Sequence, residues 1–66
     1  MTDPILDQVA ANVRQAKIQR AEIARRIDIL QRMGGNIGSA QTDLHNIDIM
    51  IAKQLKVLHE EGYKEI

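Results

Sequence analysis

The feature that most constrains this chain is a stripe of apolar residues spaced alternately three and four positions apart. The stripe consists of Leu6, Val9, Val13, Ala16, Arg20, Ile23, Ile27 and Leu30, with Arg20 as its one polar member. This spacing is the heptad pattern by which one side of a helix packs on another helix. Asp3-Pro4 suits a helix start, Gly34-Gly35 suits a helix stop, and no glycine or proline lies between them. We therefore predict a helix over about residues 4–33.

A second stripe follows the glycine-rich segment. Its members are Leu44, Ile47, Ile51, Gln54 and Leu58, and Met50, Leu55 and Val57 widen its apolar side. Ser39 or Thr42 is the predicted cap, and Gly62 is the predicted stop. We expect a turn over about 34–38, a helix over about 39–61 and a short C-terminal tail. A chain of 66 residues accommodates one such domain, 1–66.

Two helices joined by a short bend predict an all-α fold, an antiparallel, coiled-coil-like helical hairpin. Aligning the stripes around the bend sets Leu30 opposite Leu44 and places Arg20 opposite Gln54. A buried polar layer of this kind fixes the register of a coiled coil at a cost in stability. The alternative role for Arg20 is to hold an anionic ligand or a partner's carboxylate.

The same alignment leaves apolar residues without a partner. Leu6 and Val9 extend beyond the second helix, and Val13 meets Glu61. Ile18 and Ile29 share another side of the first helix, three turns apart. We expect an oligomer or partner interface formed by Leu6, Val9, Val13, Ile18 and Ile29. The predicted partner is the chain itself, as a dimer or a higher helical bundle, and another protein is an alternative partner.

The residue types do not predict an enzyme. The chain has no cysteine, and no nucleophile lies beside a base in the sequence. His45 and His59 are not part of a metal-binding spacing, so we expect no catalytic residues, no metal and no cofactor. The formal net charge is zero, which disfavours a generally basic nucleic-acid binder.

The bend itself is the remaining candidate site. The sequence Gly34-Gly35-Asn36-Ile37-Gly38 lacks the lysine of a phosphate-binding loop, so a plain turn is the favoured interpretation. The amides at the start of the second helix could still hold an anion. The candidate anion-binding residues are Arg25, Arg32, Gly35 and Ser39.

Two functions remain open at this stage. The first is a small self-associating adaptor, co-chaperone or virion component, and in length and layout the hairpin resembles the short co-chaperones of type III secretion needles. The second is an oligomer that sequesters a nucleotide signal, as phage anti-defence hairpins of similar topology do. No stretch is long and apolar enough to cross a bilayer. The expected location is the cytoplasm, or the host cytoplasm if a phage encodes the protein.

Overall fold

The fold is a pair of antiparallel helices. The computed structural model describes residues 3–63 and contains there α1 (Pro4–Met33) and α2 (Gly38–Glu60). The helices pack along their length as a rod measuring 50 × 15 × 14 Å. The predicted all-helical hairpin is confirmed, including a first helix that begins at Pro4.

The start of α1 follows from the residues Asp3-Pro4. The Asp3 carboxylate accepts a hydrogen bond from the Ile5 backbone N–H at 2.9 Å, and Pro4 occupies the first turn. A carboxylate at this position satisfies an amide that has no partner inside the helix and lies favourably at the positive end of the helix dipole.

Both helices stop in the same way. Gly34 and Gly62 adopt left-handed conformations, with φ of 73° and 76°. After α1, Gly35 N–H donates to Leu30 O at 2.8 Å, and after α2, Tyr63 N–H donates to Leu58 O at 2.8 Å. Each of these bonds reaches back five residues, which is the Schellman arrangement that satisfies the last carbonyls of a helix.

The start of α2 corrects the predicted cap. The helix begins at Gly38, and neither Ser39 nor Thr42 caps it. The Asn36 side chain accepts from Gly38 N–H at 2.9 Å instead, and the Thr42 hydroxyl donates to Gly38 O at 3.1 Å. Asparagine forms this local turn readily, so the bend supplies its own partner for the first amide of the helix.

The core lies mainly at the end of the hairpin far from the bend. Its buried members are Ala10, Val13, Ala16, Ile47, Ile51 and Leu58, and Leu6, Val9, Ile23, Leu44, Leu55 and Tyr63 pack against them. Val13, Ala10 and Leu58 are fully buried. The predicted overhang of α1 is therefore wrong, because Leu6 and Val9 pack against this core together with Leu55 and Tyr63.

Candidate functional site

The predicted interface residues divide into two groups. Val13 is fully buried inside the hairpin, and Leu6 and Val9 are half-buried against its core. Ile18 and Ile29 lie on the outer side of α1, and 55% and 40% of their surfaces are exposed. Val13 is thus part of the hairpin's own core, Leu6 and Val9 keep part of their surface exposed, and Ile18 and Ile29 are the most accessible of the five.

Arg20 does not form a buried polar layer with Gln54. The Arg20 side chain is 47% exposed, and its guanidinium pairs with the carboxylate of Asp48 across the helices. This hydrogen bond, and then the negative charge of Asp48, raise the pKa of Arg20. The expected polar layer is absent because Arg20 lies at the edge of the stripe. There its long side chain reaches the Asp48 carboxylate and stays hydrated.

Gln54 lies at the other edge and is largely buried. Its Oε1 atom is inaccessible to solvent and has no hydrogen-bond partner among the described residues. A buried amide oxygen without a donor costs free energy, because it has lost its water without replacement. This unsatisfied acceptor distinguishes the environment of Gln54 from that of Arg20.

An open groove of about 270 Å³ runs beside Gln54 between the two helices. Its lining residues are Asn12, Gln15, Ala16, Gln19, Met50 and Gln54. Four of the six are amides and none is formally charged, although 27% of the chain is charged. The groove therefore suits a neutral, hydrogen-bonding surface better than an anion.

Two of the four candidate anion-binding residues, Gly35 and Arg32, already bond to other groups of the chain. Gly35 N–H bonds to Leu30 O, and the Arg32 guanidinium pairs with Asp28 one turn away. Arg25 and Ser39 are exposed. Since the amide of Gly35 and the charge of Arg32 both have partners within α1, they do not form a ready cradle for a phosphate.

Tyr63 is the contact that the sequence interpretation missed. Its hydroxyl donates to the Asp7 carboxylate at 3.2 Å, joining residues that are 56 positions apart. Tyr63 is the one aromatic residue of the chain and directly follows the helix-ending Gly62. An apolar residue after such a glycine commonly folds back on its helix, so this position was a usable signal.

Residues 3–63 contain neither a metal-binding cluster nor a membrane-spanning helix. Within that range, His, Asp and Glu side chains form no group of three that could hold a metal ion. The described helices include none with the length and apolar character needed to span a membrane. Comparison of the chain with protein-family models, curated proteins and solved structures finds no match.

Proposed function

We propose that this hairpin is a small, non-enzymatic protein that self-associates into a helical bundle and acts through protein–protein contacts. The roles that fit are an adaptor, a co-chaperone or a virion component in the cytoplasm, or in the host cytoplasm if a phage encodes it. The supporting observation is the large surface that two helices leave uncovered.

The accessible surface of the chain is 5008 Å². A compact monomer of 7.5 kDa is expected to expose about 4,200 Å². The hairpin thus exposes roughly 800 Å² more than a compact chain of its mass, which is about what one partner buries in a standard protein interface. The physical reason is that each helix has a neighbour on one side only, so the core has no second layer.

Among the described residues, the uncovered surface includes several large apolar side chains. The large apolar residues with at least 40% exposure are Ile5, Ile18, Ile29, Met33, Ile49, Met50 and Val57. Single exposed apolar residues are ordinary, but several of these lie along the same side of the two-helix rod, where they form a surface for association. Association with another helical surface would remove them from water.

Sedimentation equilibrium of the purified chain tests the proposal. We expect a mass of at least two chains at micromolar concentration, falling towards the monomer on dilution by mass action. A folded species with the monomer's mass across the whole micromolar range would overturn self-association.

The alternative function, an oligomer that sequesters a nucleotide, has weaker support because Gly35 and Arg32 are already bonded within α1. A thermal-shift comparison with cyclic and linear nucleotides separates the two functions. A ligand that binds the folded state raises the Tm. We expect an unchanged Tm, and a saturable rise would favour the sequestering function.

A further inference from the structure

We infer that one side of the hairpin, the groove face, docks a second copy of this chain about a two-fold axis. The groove face is defined by Asn12, Gln15 and Gln19 on α1 and by Met50, Gln54 and Val57 on α2. This inference rests on the proposed self-association and adds which surface mediates it.

The two edges of the helix pair differ in how they are closed. At about 100° per residue, Met50 and Asp48 lie on opposite sides of the buried stripe of Ile47 and Ile51. The edge that carries Asp48 is bridged by the Arg20 guanidinium. Among residues 3–63, no ion pair of this kind spans the edge that carries Met50, and this edge opens into the groove. The groove edge is therefore the one that a further helix can approach.

The groove face carries a second heptad pattern outside the core. On α1, Ile5, Asn12 and Gln19 are seven residues apart, and on α2 Met50 and Val57 are seven residues apart. Seven-residue spacing keeps side chains along one seam of a supercoiled helix. The α1 series continues after Gln19 with the exposed Arg26 and then with Met33.

The exposed aliphatic residues are concentrated on this seam. Four of the seven large exposed apolar residues belong to it, namely Ile5, Met33, Met50 and Val57, with exposures of 74%, 76%, 40% and 46%. The other three are divided between the backs of the two helices. Methionine adapts its shape easily to an apposed surface, which suits Met50 and Met33 to an interface.

The polar groups of the groove face are complementary to themselves. Each Asn or Gln amide carries both donors and an acceptor, so a face of amides can bond to a copy of itself turned by a two-fold axis. Gln54 belongs to the same face, and its Oε1 atom, which has no donor among residues 3–63 and is inaccessible to solvent, would meet a donor of the second copy after a rotation of its side-chain amide. The amides of Asn12, Gln15 and Gln19 are exposed donors on the same face.

The back of α1 fits a second copy less well. There Ile18 and Ile29 share a side with Arg25 and Arg32. A two-fold contact on that side would bring like charges together, which disfavours the pairing. The groove has no formal charge among its lining residues, so like charges on that face are confined to its margin, at Arg26 and Lys53.

Two neighbouring residues provide a matched test. Met50 on the groove face and Ile49 on the back of α2 are 40% and 41% exposed. Sedimentation equilibrium of the full chain should show that Met50→Glu weakens dimerisation by at least about 100-fold, because the axis brings two carboxylates together. Ile49→Glu should leave the dimerisation constant within about threefold of the wild type, since its carboxylate stays in water.

Circular dichroism of both variants checks that each remains helical. A second experiment measures intermolecular distances without introducing a charge. Because the chain has no cysteine, single spin labels at Met50→Cys and Ile49→Cys report intermolecular distances directly. The label at position 50 should lie closer to its symmetry mate than the label at position 49.

The outcomes separate the two proposals. If Met50→Glu associates like the wild type, or if the label at position 49 gives the shorter distance, the groove face is not the interface although self-association stands. If the wild type itself is monomeric at all micromolar concentrations, self-association and the groove interface both fail.

Discussion

α1 and α2 end with the same backbone conformation, but the residue that follows the terminal glycine differs between them. α1 and α2 both stop at a left-handed glycine, and in both the next amide bonds back to the carbonyl five residues earlier. After Gly62 that next residue is Tyr63, which packs on the core and bonds to Asp7. After Gly34 it is Gly35, which has no side chain to contribute.

The difference coincides with how well each end is packed. Leu58, near Tyr63, is fully buried, whereas Leu30 and Leu44, near the bend, are half-buried. Ala10 and Ala16 also let the helices approach closely at the far end, since both are almost completely buried. The covalent connection holds the helices together at the bend, but the side chains at the other end supply most of the core.

The strongest test of this comparison replaces one leucine at each end. Leu58→Ala should lower the free energy of unfolding by about 3–5 kcal/mol, because it empties a fully enclosed site. Leu44→Ala, in the same helix, should cost about 1–2 kcal/mol because the half-buried side chain loses less. Urea unfolding at one fixed protein concentration measures both. Equal losses would show that the two ends contribute alike.

The next test removes the tail contact. Tyr63→Ala should destabilise the hairpin by about 2 kcal/mol through lost packing and the lost bond to Asp7. Tyr63→Phe keeps the ring and should cost only about 0.5–1.5 kcal/mol. Thermal unfolding compares them. Tyr63→Ala with the wild-type Tm would mean that the far end is held by the helices alone.

Replacing the glycines that follow the two helices tests whether the left-handed conformation stabilises both helix ends alike. Gly34→Ala and Gly62→Ala should each cost about 1 kcal/mol, because both positions have positive φ and open space around them. Gly35→Ala should cost less: its φ is not positive, and the closest atom to the new methyl group would be the movable Leu30 Cδ2 at 3.2 Å. Denaturant unfolding should show similar losses of stability for Gly34→Ala and Gly62→Ala and a smaller loss for Gly35→Ala. A larger loss at Gly35 would point to a role for that position beyond the turn.

The smallest expected effect concerns the ion pairs. Asp48→Asn removes the contact to Arg20 and should cost no more than about 1 kcal/mol, because both side chains are almost half exposed. Asp28→Asn, which breaks the more exposed pair with Arg32 inside α1, should cost about 0.3–0.5 kcal/mol or less. Thermal melts in low and high salt should show that added salt reduces the difference in Tm between each variant and the wild type. A loss of several kcal/mol for Asp48→Asn would mean that Arg20 is a core element.

Much of the fold could be predicted because its signals are local. Asp3-Pro4 starts α1, Gly34 and Gly62 end the two helices, and the heptad stripes identify the sides that meet. The candidate site was harder to predict. The partner of Arg20 depends on which edge of the helix pair its long side chain takes, because Asp48 and Gln54 lie at opposite edges and the heptad spacing does not decide between them.

The sequence by itself determined the helix lengths, the bend and the antiparallel pairing, because propensity, glycine conformation and heptad spacing act within a few residues. The tertiary structure decided which apolar residues remain available. Only the packed helices show that Tyr63 packs at the end where Leu6 and Val9 had no predicted partner, and that the Gln54 oxygen is buried without a donor from residues 3–63. Such outcomes depend on contacts between distant residues, and these exist only once both helices occupy the same space.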